Sequence, residues 1–358
     1  MQNYTIFISF FNSYPITSGA SAVSTNLFES WPNKRKKLFQ LNHEKNKFKK
    51  NIYNFNIFSN KFYFKFLFLI PYSLFIYFKI RNKKVDQIVF EGASWTGYIY
   101  FVFFFLKIFL KKTKFIYHSH NVDFQFRQHN FLIYKISFFF EKKILKNFDI
   151  STAVSTEDYL DFKKHFNINS QILPNGVIFI KKFLKKVKKE NYILFSGSLA
   201  FSENKKTFDN LLKNEFKILQ KYFPKIKIYH TGGGKFRYYQ DIKYIKELGT
   251  LKLNEYLQYL QKSLFVVVPS LKGPGTKVKV IEALGYNKIT LTSKFGMRGI
   301  NKKYDKYIVY EDLKQFKEKI IKIKKYLNKN QIYQKIGKHY RNLHDMKRLS
   351  KKFYDKNF

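Results

Sequence analysis

Short apolar runs closed by turn residues alternate with longer stretches of helical period, and this alternation runs through the 358-residue chain twice. Such a pattern belongs to parallel strands joined by crossover helices, an α/β architecture. In the first pass it predicts strands at Tyr4–Phe10, Gln87–Glu91, Lys114–Ser119, Asp149–Val154 and Gln171–Leu173. Helices are predicted over Ser21–Ser30, Lys61–Arg81, Ser94–Lys111, Phe131–Lys146 and Thr156–Phe166. Strands that are apolar at every position suit a sheet covered on both faces. After Leu173-Pro174-Asn175-Gly176 a Lys-rich connector, Lys181–Lys189, carries no period. The second pass predicts strands at Tyr192–Ser196, Lys225–His230, Leu264–Val268, Lys288–Thr292 and Tyr307–Tyr310. Its helices are expected over Lys205–Gln220, over Asn254–Gln261, from Lys277, and from about Asp312 onward. The expected division is 1–178, 179–345 and a basic tail over 346–358.

Two domains need two cores, and 45% hydrophobic residues supply them, which excludes a disordered chain. The net charge of +44 points to anionic partners. Only seven of the basic residues are Arg, and Asn, Ile and Phe are also abundant, so part of the excess reads as AT-rich codon bias. The lysines are dispersed instead of forming an arm, and no nucleic acid partner is expected. Lys beside Phe and Tyr suits peripheral contact with an anionic membrane. Phe66–Phe78 and Tyr98–Leu110 are apolar but only 13 residues long, against the roughly 20 of a span. The chain has no Cys, no signal peptide is apparent, and a cytoplasmic setting is expected.

In open parallel sheets, ligands bind beyond the carboxyl ends of the strands. Pro269–Leu284, PSLKGPGTKVKVIEAL, is the most informative segment there. Glycines at 273 and 275 let backbone approach a ligand, Thr276 is placed to cap a helix, and Lys277 adds a cation at the positive end of its dipole. Glu282 lies six residues past Thr276, roughly 9 Å along a helix at about 1.5 Å per residue, the reach from a diphosphate to ribose hydroxyls. A Gly-Pro turn before an ordinary amphipathic helix is the plain alternative. The segment is neither G-x-G-x-x-G nor a Walker loop.

GPGTKVKVIEALGYNKITLTS resembles the donor-binding signature of retaining family-4 glycosyltransferases, glycosyltransferase group 1. ILFSGSLAFSENKKTFDNLL, IYHTGGGK, LPNGV, HSHNVDFQ and YPITSGASA resemble other segments of that family in the right order, over most of residues 4–300. The resemblance implies the GT-B fold, two Rossmann-like domains with parallel sheets facing across a cleft. It also implies transfer of a sugar from a nucleotide-diphosphate donor to an acceptor hydroxyl, with retained configuration; the AT-rich composition and basic surface add the expectation of a glycan or lipid-linked acceptor in cell-envelope polysaccharide synthesis. No cofactor and no metal are expected beside the nucleotide-sugar donor. Lys277 would pair with the diphosphate, with amides of Gly275 and Thr276 completing the cradle, and Glu282 would bind the ribose. His120 would support the reacting sugar, with His118 expected on the opposite face and no third metal ligand evident. Gly19, beside Ser18 and Ser21, would bring backbone amides toward the diphosphate or the acceptor, and Gly197, Asn204 and Lys205 would face the phosphates, with Lys205 as a second cation. Gly233, within Gly232–Gly234 of the loop that runs to Lys235, would border the base. Glu91 and Asn121 are acceptor candidates. Each also has a plain reading as a turn, a solvated charge or a structural contact. The family often carries a first Glu separated by seven residues from the one matched by Glu282; Pro274 stands there, although relatives with a GxGTK-type loop also lack it. The alternatives are an epimerase-like or non-catalytic GT-B protein, or a basic polyanion or membrane-surface binder.

Overall fold

The computed structural model describes residues 3–42, 50–59, 61–128, 130–185, 187–234, 239, 241–271, 275–326 and 331–358. Lys235, Gly273 and Pro274, named above, lie outside these. The chain divides into two compact units: Met1–Ile16 with Ala20–Asn175 and Met346–Phe358, and Thr17–Gly19 with Gly176–Asp345.

The first unit is built on β1 (Tyr4–Ser9), β2 (Lys36–Asn42), β3 (Ile52–Asn56), β4 (Val85–Gly92), β5 (Lys114–Ser119), β6 (Ile150–Ala153) and β7 (Gln171–Ile172). These pair in the order β3-β2-β1-β4-β5-β6-β7, all in parallel. The order reverses between β1 and β4, the Rossmann switch point. Helices α1 (Gly19–Ser30), α2 (Phe62–Leu67), α3 (Leu69–Ile80), α4 (Thr96–Phe109), α5 (Asp123–Phe126), α6 (Phe131–Asn147) and α7 (Thr156–Phe166) make the connections. Local chemistry sets several of their ends. Asn130 and Ser155 accept from the third amide onward at the starts of α6 and α7, and Asn167 closes α7 at φ 56°. The single helix expected over Lys61–Arg81 is divided at Phe68, because Pro71, in the first turn of α3, has no N–H to continue the ladder.

The second unit repeats the plan with β8 (Tyr192–Ser196), β9 (Lys227–Thr231), β10 (Ile245–Glu247), β11 (Val266–Val268), β12 (Thr290–Ser293) and β13 (Val309–Tyr310). Two parallel ladders, β10-β9-β8 and β11-β12-β13, are joined by a parallel bridge between Ile193 and Phe265. The order along the unit is again that of a Rossmann sheet, with its switch point between β8 and β11. Its helices are α8 (Ser202–Lys213), α9 (Glu215–Tyr222), α10 (Leu253–Lys262), α11 (Val278–Gly285), α12 (Asp305–Ile308), α13 (Leu313–Tyr326) and α14 (Gln331–His344). The helix expected over Lys205–Gln220 is two, broken at Asn214.

The last stretch is not a tail. Residues 346–357 form α15 (Met346–Asn357), part of the first unit. Met346, Ser350 and Phe353 fall on one helical face and are buried, Phe353 meets Trp31, and Ser350 Oγ donates to the Ser30 carbonyl at 2.7 Å.

Candidate functional site

In the second unit, the carboxyl ends of β8 and β11 lead into the loops at Gly197 and Pro269. Gly275 is buried at φ 72°, a backbone state that favours glycine. Thr276 does not cap the helix as expected. The N-cap position falls to Lys277, which makes no side-chain cap bond, and Thr276 Oγ1 is buried with no hydrogen-bond partner among the described residues. An acceptor oxygen from a ligand would satisfy this hydroxyl.

Lys277, next in the chain, is close enough to Arg298 and Lys279 for their charges to act on one another. Burial and the neighbouring Arg298 push the Lys277 ammonium below its ordinary range, with Glu203 opposing. Lys279 Nζ donates to the Ser196 carbonyl at 2.9 Å and to Asn204 Oδ1 at 3.2 Å, and lies 5.1 Å from the centre of the Phe195 ring. Burial and Lys277 lower it to about 8. Like charges held together in partial burial are unfavourable until an anion joins them. The sequence alone does not single out Lys279 or Arg298. Both nonetheless follow the strand-end rule, Lys279 in the first turn of α11 and Arg298 in the loop after β12.

Asn204 holds the loop itself, its Nδ2 donating to the Ser198 carbonyl at 3.0 Å while its Oδ1 accepts from Lys279. Lys205 pairs with Asp209 at 2.8 Å, and Lys279 bonds the end of β8 through the Ser196 carbonyl. Gly232, at φ 139°, brings the β9 loop against the β8 loop: a Cβ there would lie 2.6 Å from the Gly197 backbone. Leu199 N–H donates to the Gly233 carbonyl at 2.8 Å. The glycine run therefore has a packing reason, independent of any base. Glu282 is half-buried, and burial raises its carboxyl to about 7 against a hydrogen bond from the Tyr256 hydroxyl.

In the first unit, parallel register sets Glu91 of β4 beside His118 of β5, at the carboxyl end of the sheet. Glu91 Oε2 lies 3.0 Å from His118 Nδ1 and 2.7 Å from His120 Nε2, and accepts from Ser24 Oγ at 2.8 Å. The two histidines thus share a face, as residues two apart on a strand must, and the expectation that His118 points away is corrected. Glu91 is 0% exposed, so it cannot touch an acceptor in this arrangement; it holds His120 instead. Although burial acts to raise it, the histidine charge and hydrogen bonds hold its carboxyl well below the usual range. An ionised carboxylate only accepts, which puts the proton of His120 on Nε2. Burial lowers His120, with Glu91 opposing.

Glu91 is also the third potential metal ligand that the sequence did not reveal, the donor atoms all lying within 4.8 Å of one another. The contacts of 2.7 and 3.0 Å are hydrogen-bond distances. Ligands about 2.0–2.1 Å from a tetrahedral zinc stand about 3.3 Å apart, so these side chains as placed do not fit one.

Glu141 anchors the loop that carries His120 and Asn121, accepting from the amides of Asp123 and Phe124 at 3.0 Å each. Asn121 lies at its turn, where its carbonyl accepts from Ser119 Oγ at 2.6 Å. Gly19 is exposed at the start of α1, with open space around its Cα.

Residues 190–325 match the family model of glycosyl transferases group 1. No curated protein matches the chain by sequence. Among solved structures, sucrose-phosphate synthase from Thermosynechococcus elongatus is similar at 11% identity and a TM-score of 0.73, over 99% of this chain and 98% of that one. Anabaena Alr3699/HepE, in complex with UDP and glucose, is similar at 12% and 0.72, over 98% of each chain. WaaG, a glycosyltransferase involved in lipopolysaccharide biosynthesis, is similar at 13% and 0.67, also over 98% of each. Two Rossmann sheets in series, these likenesses and the matched segment identify the second unit as a glycosyl transferases group 1 domain, in a chain with the GT-B fold.

Proposed function

We propose that the chain transfers a glycosyl group, with retained configuration, from a nucleotide-diphosphate sugar to a hydroxyl of a glycan or lipid-linked acceptor. The reaction takes place in the cytoplasm, at the inner face of the membrane, in cell-envelope polysaccharide synthesis. The observation that carries the reading is the group of mutually interacting cations Lys277, Lys279 and Arg298 at the start of α11, with the Thr276 hydroxyl, buried and without a partner among the described residues, next to Lys277 in the chain. It has the charge and the donors for a diphosphate. Such donors stabilise the leaving group as the glycosidic bond breaks. Glu282, about one turn into α11, accepts from the ribose. The UDP held by HepE supports a nucleotide donor.

His120, fixed by Glu91, makes the polar contact to the transferred sugar. The acceptor hydroxyl attacks from the face the diphosphate leaves, and a phosphate oxygen takes its proton. No metal and no covalent glycosyl-enzyme take part. A thermal-shift screen across nucleotide sugars, followed by mass and anomeric analysis of the product, tests this. A glycosylated acceptor with the donor's anomeric configuration is expected. Inversion, an epimerised free sugar, or no nucleotide sugar that raises the melting temperature would overturn it.

A further inference from the structure

A helix lying on a sheet buries one stripe and turns polar residues to water. Helices α3, α4 and α6 depart from this. Ile70 and Phe78 on α3, Phe104 and Ile108 on α4, and Leu132 and Phe139 on α6 are 52–66% exposed. The helices adjoin, since Tyr77 meets Phe109 at 4.9 Å and Phe101 meets Phe140 at 5.6 Å between ring centres. Their outward apolar residues therefore form one field, wider than scattered surface hydrophobics.

The charges on these helices sort by sign. Among the described residues, the exposed ones are all cationic, including Lys79, Lys107, Lys142 and Lys143, while the single acid, Glu141, is fully buried. Aromatic side chains among lysines fit a layer that is apolar within and anionic at its surface. A second copy would bring another +44 against this one, which argues against self-association through the same face. No helix among the described residues is long and apolar enough to cross a membrane, so a bilayer met by these helices would be met at its interface.

We propose that α3, α4 and α6 form a docking surface for an anionic lipid bilayer. The proposal deepens the membrane placement given above but stands apart from the transfer chemistry.

The test is co-sedimentation of the full chain with phosphatidylcholine vesicles and with vesicles containing 30% phosphatidylglycerol, a fraction that gives an anionic surface of ordinary strength. Binding to the anionic vesicles should be at least about tenfold tighter and should weaken steeply from about 0.05 to 0.5 M salt. The double variant Phe104→Ser, Phe139→Ser should lose about tenfold or more of that binding. Both positions are exposed, and unchanged nucleotide-sugar binding and melting temperature confirm that the variant is folded. Equal binding to both vesicle types, no binding to either, or full binding by the variant would overturn the proposal. So would sedimentation velocity showing a stable dimer that the same variant dissociates. Nucleotide-sugar binding measured in parallel reports on the transfer reading separately.

Discussion

Nucleotide-sugar affinity should be bell-shaped in pH, with limbs set by two residues of α11. Glu282 sits at about 7 in the free protein. Ribose hydroxyls donate to its ionised form, so the complex holds the carboxylate deprotonated and affinity falls as pH drops below 7. Lys279 sits at about 8. A diphosphate favours its charged form, so affinity falls as pH rises above 8. If the bound values move by two units or more, linkage makes binding about sixfold weaker at pH 6 and at pH 9 than at pH 7.5. Calorimetry with a nucleotide sugar suits the test, because its diesterified diphosphate has no proton to titrate in this range. Glu282→Gln should flatten the acid limb alone, and Lys279→Arg, which stays charged, the alkaline limb alone. An acid limb that survives in Glu282→Gln would refute the assignment of that residue to the ribose.

Further outcomes follow from buried groups. A carboxyl raised on folding lowers stability as pH rises from its unfolded value, about 4.5, through 7; Glu282→Gln should therefore melt higher than the parent at pH 8 and at the same temperature at pH 4. Glu91→Gln should lower kcat at least about tenfold and cost about 3 kcal/mol in urea unfolding, because it leaves buried histidines without their anion. Since the Glu91 carboxyl is depressed, the stability it contributes is present above about pH 4.5 and lost as pH falls below. Glu141→Ala strands two buried amides and should cost about 3 kcal/mol by the same measurement.

The central strands were the legible part of the fold. β5, β8 and α7 fall at the bounds expected from their apolar runs and turn residues. β2 and β3 were missed because they lie toward the sheet edge and are interrupted by Lys36, Lys37, Asn54 and Asn56, which mask the period. β10, at the edge of the second sheet, reads IKE and carries too little apolar surface to announce itself. The 346–358 segment looked like a tail because its charge outweighs the three-point stripe that docks it.

At the candidate site, Gly275, Lys277 and Glu282 can be named together from the sequence because a single strand-turn-helix unit carries them. What was not readable came from other segments. Arg298 approaches Lys277 from the β12 loop, Tyr256 reaches Glu282 from α10, and Glu91 meets His118 only through the pairing of β4 with β5. Lys279 needed the fold as well, because its partners Ser196 and Asn204 lie 83 and 75 residues upstream.

The most direct check is titration calorimetry of UDP, GDP and ADP into the folded parent and into Lys277→Ala. At least one nucleotide should bind the parent and bind the variant about tenfold or more weakly, the loss of one charge-assisted contact of about 1.5–3 kcal/mol. Failure of all three to bind the folded parent, or equal binding by the variant, would contradict a diphosphate site at the start of α11.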